Sequence, residues 1–266
     1  MFTKKLSIFN LIALLIHISL SYGTQLKLVN PKGVGEVSDK YPSLFTPAGF
    51  TFAIWGLIYV ALLTFCIYHI VRAFKADDNH PANRDTRKIG YVFIVNNLVT
   101  AGWLIAWTNE YLFLSVILIL IQLITLLIIH RRLSIHDASR DMPSKFFTQV
   151  PLSIYFGWIT IATLANTSTF LHSIRWSGWG VSDINWTITL IATAVMITVW
   201  VINRRRNTIY GLVVLWALYG IMTRLEERDP INFQPIIWVA MGGMAIVALA
   251  VLFSILRNLR IKKIAH

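Results

Sequence analysis

The sequence predicts an all-α polytopic membrane protein of about eight transmembrane helices, and three observations carry that prediction. Hydrophobic residues fill 56% of the 266 positions and charged residues only 14%, against about 25% charged in a soluble domain. Mean hydropathy is +0.63. The apolar residues gather into eight runs, with the 24 basic and 12 acidic residues outside them or at their edges. The basic residues also fall mostly on alternate connections, the bias that orients helices in a bilayer.

The runs are approximately Leu6 to Tyr22, Pro47 to Val71, Gly90 to Trp107, Tyr111 to His130, Phe147 to Thr169, Ile184 to Asn203, Thr208 to Thr223 and Gln234 to Leu256. Their lengths compare with the ~20 residues a spanning helix needs. With the N-terminus inside, the inner connections hold 18 of the 24 basic residues, among them Lys4, Lys5, Arg72, Lys75, Arg131, Arg132, Arg204, Arg205 and Arg206. Both termini are therefore expected to be cytoplasmic. The net charge of +12 reads as a topology signal, and a nucleic-acid partner is excluded on that ground; the partner is the lipid bilayer.

In the first run, Lys4 and Lys5 precede an apolar stretch that ends near Ser19, Ser21 and Gly23. A cleaved signal peptide would leave seven spans. The apolar part is long for a signal and lacks a clean small-x-small cleavage site, which favours a retained helix. His17 lies inside it, either as a functional group or as a neutral histidine bonded to a neighbouring helix. Residues 23–46 form a long external loop, a lid over the outer mouth or a solvated linker.

The stretch Tyr41 to Tyr59 organises the rest of the chain. Pro42, Pro47 and Gly49 suit a bend, and Pro47 fits the first turn of a helix, where a missing amide costs no bond. Phe52, Trp55, Gly56 and Tyr59 then share one helical face. In the third run Asn96, Thr100, Trp103 and Trp107 recur on one face, with Asn97 beside them. Buried amides are costly in hydrocarbon, so this face is expected to look inward, as helix glue or as a binding surface. Trp107, near the outer end, also fits an interfacial belt. The fourth run is plainly apolar. In the fifth, Tyr155, Trp158, Ala162 and Ala165 make a stripe, with Asn166 adjacent.

The last three runs carry Trp186, Trp200, Trp216 and Trp238, with Gly242 and Gly243 in the final one. The seventh is short, and the charged run Arg224 to Asp229 after it reads as a solvated external loop. A homodimer contact or a second half of a pocket are both open for this part.

Enzyme signatures are weak: no metal-ligand spacing, phosphate loop, dinucleotide fingerprint or nucleophile elbow stands out. Cys66 is the single cysteine. His69 and His130 end spans on the inner side and read as interface residues or as ligands to a haem or a metal. The spans hold no Asp or Glu, which argues against a proton relay.

The pattern Trp158, Ala162, Thr163, Asn166 resembles the last-helix signature of the tryptophan-rich sensory protein and translocator protein family. The Pro47 to Tyr59 stretch, with Trp55 and Tyr59 four apart, is similar to that family's second helix, and an asparagine followed by tryptophans to its third. The resemblance covers residues 1–172. It implies a five-helix bundle there, with external loop 23–46 over a pocket, followed by a three-helix extension over 173–266. It departs from the family at Phe50 and Phe52, which stand three and five residues after Pro47 where a tryptophan and a phenylalanine at two and four are usual. Phe170 also replaces the tyrosine of the sterol-consensus tail. The resemblance implies a binding protein, a sensor or regulator, for flat apolar ligands such as porphyrin, haem or sterol-like molecules, with no resident cofactor. A transporter of an apolar metabolite is the alternative, and an enzyme acting on a tetrapyrrole or isoprenoid the third. Carried over by position, the pocket takes Trp55, Tyr59, Trp158, Ala162 and Asn166. Asn96, Asn97, Thr100, Trp103 and Tyr155 join them by their helical faces.

Overall fold

The computed structural model describes residues 1–135 and 140–264. It is 83% helical, with no strand among the described residues. The helices are α1 (Phe2–Gln25), α2 (Val34–Lys40), α3 (Ile54–Lys75), α4 (Pro81–Ile89), α5 (Val92–Thr108), α6 (Leu112–Leu133), α7 (Met142–Ser144), α8 (Val150–Ser173), α9 (Asp183–Arg205), α10 (Thr208–Arg228) and α11 (Gln234–Ile264). A 3-10 turn at Gly49–Ala53 leads into α3, and a π turn at Lys145–Gln149 joins α7 to α8.

Among the described residues, seven helices are long and apolar enough to cross a membrane, and α4 with α5 make an eighth if that bent pair is one span. The chain is an integral membrane protein. The third apolar run is α5 itself, and α4 precedes it at an angle of 55°. Gly90 makes the corner with φ +59° and ψ −142°, a region open in practice only to glycine. Pro81 starts α4 where its missing amide costs nothing, and His80 Nδ1 accepts the Ala82 N–H at 3.2 Å.

Two compact units divide after Lys40, within the 49–53 turn and within α8. The first comprises Met1–Lys40 and Ala53–Ile159. In it α1 packs on α3 and α5, α5 on α6, and α4 on α1, α3 and α6. At the end of this unit that carries residues 26–40, the chain between α1 and α3 is fastened down. Trp107 Nε1–H donates to Val34 O at 3.0 Å, and Asn30 Nδ2 donates to Asn109 Oδ1 at 2.9 Å. Glu110 takes the ammonium groups of both Lys32 and Lys40, the latter at 2.5 Å. Trp107 is thus a buried fastening and not a lipid-facing belt residue.

Within this segment Lys27 pairs with Glu36 at 2.7 Å. That ammonium first, and the Gly33 amide second, hold the Glu36 carboxyl below its ordinary 4.5. A depressed carboxylate contributes order above its unfolded value and loses it as pH falls through the folded one. Glu110→Gln is expected to leave the helices intact while speeding amide exchange and protease cleavage within 26–40 several-fold, because one carboxylate holds two lysines. Unchanged exchange would show that the segment is held without Glu110.

At the opposite end, Asp85 on α4 is paired with Arg140, which also donates to Leu133 O at 2.5 Å and Ser144 Oγ at 3.1 Å. His69 lies beside Thr86 Oγ1 at 2.8 Å and Thr148 Oγ1 at 3.0 Å, one on each ring nitrogen. Neither nitrogen is presented to a metal or haem.

The second unit comprises Tyr41–Phe52 and the chain from Thr160 onward. Its α9, α10 and α11 pack pairwise. The 46–52 stretch lies on α10: the Ala48 amide donates to Gly220 O at 2.9 Å, Trp216 Nε1–H donates to Thr51 O at 3.0 Å, and the Phe50 ring meets Trp216 edge-on at 5.4 Å. These bonds hold the chain as a 3-10 turn, so Pro47 is not in the first turn of α3, which begins at Ile54. The seventh span is not short either. α10 continues to Arg228, so the charged run from Arg224 forms its last five residues, with Asp229 only as the cap.

Candidate functional site

The site is built in the first unit from residues that the helical period puts on facing stripes. On α3, Trp55 and Tyr59 are four apart, so their rings stack at 5.5 Å and 29°. From α1, His17 meets Trp55 at 5.8 Å and Tyr59 at 5.4 Å, edge-on to both. From α8, Tyr155 and Trp158 approach Trp55 at 6.1 and 6.4 Å. These lie in the range where aromatic pairs attract beyond their buried area. Trp55 therefore touches four rings from three helices while remaining half-exposed, and Gly56 beside it is open, with nothing within 4 Å of where a Cβ would stand.

Behind the rings, polar groups from α1 and α5 hold the hydroxyls. Tyr59 O–H donates to Ser21 Oγ at 2.5 Å. Thr100 O–H is used on Asn96 O, one turn back, at 2.8 Å. Its oxygen therefore accepts from Tyr155 O–H, also at 2.8 Å. Asn97 Nδ2 donates to Phe93 O at 2.9 Å, and Asn97 Oδ1 lies 3.0 Å from His17 Nδ1. His17, Asn97, Thr100 and Tyr155 are all fully buried. In hydrocarbon these bonds have no competing water, so they fix the rings in place.

Of the ten residues singled out in the sequence, Trp55, Tyr59, Tyr155 and Trp158 come together, with Asn97 and Thr100 immediately behind. Asn96 faces the other way, donating to Gln122 O at 3.1 Å and Thr125 Oγ1 at 2.8 Å on α6, where it joins two helices. Trp103 stacks on Trp107 at 5.6 Å and 21°, next to the fastened 26–40 segment. Ala162 and Asn166 belong to the second unit, half-buried and buried respectively. Two members of the cluster were not singled out as binding residues: His17, left between two readings, and Ser21. Their spacing of four places both on one face of α1, the same signal that identified the stripes on α3 and α8.

Flat hydrocarbon walls with a few fixed polar atoms are the make-up of a site for a small apolar molecule. No curated protein and no solved structure matches the chain. A family model described as TSPO-like protein matches residues 7–253, so α9 and α10 and most of α11 lie inside the matched range. With that span of the sequence accounted for, the chain belongs to the TSPO-like family.

Proposed function

We propose that this membrane protein binds flat, largely apolar molecules such as porphyrin, haem or sterol-like compounds against the Trp55 cluster, and that it serves as a sensor or regulator of them. The observation that carries this reading is Trp55, half-exposed amid four converging rings and next to an open glycine. Stacking on indole and phenol faces suits a planar ligand. Membership of the TSPO-like family points the same way. The basic bias of alternate connections supports an orientation with both termini cytoplasmic, in a bacterial cytoplasmic membrane.

Protoporphyrin titrated into detergent-purified protein is expected to quench tryptophan fluorescence saturably. Removing one wall of the site with Trp55→Leu or Trp158→Leu is expected to weaken binding about tenfold, the effect of losing one aromatic contact of ~1–1.5 kcal/mol. Trp200→Leu, on an exposed position of α9, serves as control and is expected to change nothing. Non-saturable quenching, or equal loss in all three variants, would remove the cluster as the binding surface.

A further inference from the structure

The bonds around His17 specify which tautomer it holds. Phe93 O can only accept, so the Asn97 atom 2.9 Å from it is the amide nitrogen. Asn97 therefore turns its oxygen to His17, and His17 Nδ1 at 3.0 Å must be the donor. In a neutral imidazole the other nitrogen, Nε2, then carries a lone pair and no hydrogen. That nitrogen is buried and has no hydrogen-bond partner. The phenols that could have supplied a hydrogen are committed, Tyr59 to Ser21 and Tyr155 to Thr100. A buried acceptor without a donor is rare in proteins and more costly where no water competes.

We infer that His17 Nε2 is the acceptor for an O–H or N–H group of the ligand, so that among flat apolar molecules this site selects those carrying a hydrogen-bond donor. The inference rests on the reading of the Trp55 cluster as a ligand surface and adds the polar half of its specificity. Asn97 is the positioning residue: its carboxamide, itself anchored on Phe93 O, keeps the imidazole lone pair on the side away from α5. The imidazole stands perpendicular to the Trp55 and Tyr59 rings, at 90° and 85°. A molecule laid parallel to those rings would meet the imidazole edge-on.

The test uses a matched pair of probes, 1-hydroxypyrene and 1-methoxypyrene, followed by energy transfer from tryptophan in the full-length purified protein. Wild type is expected to bind the hydroxy probe at least about tenfold more tightly, the effect of one hydrogen bond gained by an otherwise unpaired group. In His17→Phe that ratio is expected to fall to near one while the methoxy probe keeps its affinity. His17→Gln, whose amide oxygen can accept, is expected to restore part of the preference. Asn97→Val should lower the ratio by releasing the tautomer. Equal affinity of wild type for the two probes would overturn the inference, and that comparison requires no variant to fold. A preference that survives in His17→Phe would overturn it as well. Saturable but equal binding removes only the donor selectivity, whereas absence of saturable binding by either probe removes the ligand surface itself and the inference with it.

Discussion

Arg140→Ala is expected to be among the most damaging single changes in this protein, costing about 3–5 kcal/mol, the range seen when one partner of a buried ion pair is deleted. Asp85 is only 4% exposed, and Arg140 supplies both of its carboxylate oxygens with donors. Arg140 also ties Leu133 O at the end of α6 and Ser144 on α7. Its loss strands a carboxylate and releases three attachments at one end of the first unit. In a thermal melt of the detergent-solubilised protein the apparent midpoint should fall by on the order of ten degrees. The double variant Asp85→Asn with Arg140→Ala should be less affected than Arg140→Ala alone, because the stranded charge is gone. If the single and double variants melted together, the burial of Asp85 would not be the source of the loss.

Gly220→Ala is expected to destabilise the second unit by about 1–3 kcal/mol through overpacking, although alanine is the better helix former. A Cβ at Gly220 would stand 2.0 Å from Thr51 Oγ1 and 3.0 Å from Thr51 Cβ. Rotation of Thr51 removes only the first of these conflicts. The second is a clash with an atom fixed to the backbone, and that backbone is held on α10 by the bonds from Ala48 and Trp216. Thr51→Gly in the same chain should recover most of the loss by vacating the position. Gly242→Ala supplies the contrast: nothing lies within 4 Å of its Cβ, so the change should be neutral or stabilise by up to ~1 kcal/mol through helix propensity alone. Equal melts for Gly220→Ala and wild type would show that the 46–52 stretch yields freely.

The number and order of the membrane helices follow from the chain alone, because a spanning helix must be an apolar run of fixed length whatever it packs against. The same holds for the stripes of Trp55 with Tyr59 and Tyr155 with Trp158, since spacing along a single helix decides which residues share a face. Packing between helices decided the rest. Asn96 and Asn97 are neighbours 100° apart on α5, and nothing in the sequence says which faces α6 and which faces His17. Gly90 was legible as a glycine at the edge of an apolar run, but not as a 55° corner, because the turn depends on where α4 docks on α1, α3 and α6. The helix start expected at Pro47 gave way to a 3-10 turn, with Trp216, 165 residues away along the chain, holding Thr51 O. The charged run after Thr223 stayed helical with Leu225 fully buried inside it, an anchor that only the packed structure reveals. His17 shows the difference most sharply. Its sequence position marks an ionisable side chain in an apolar helix, but only the carbonyl of Phe93, acting through Asn97, determines which of its nitrogens holds the proton.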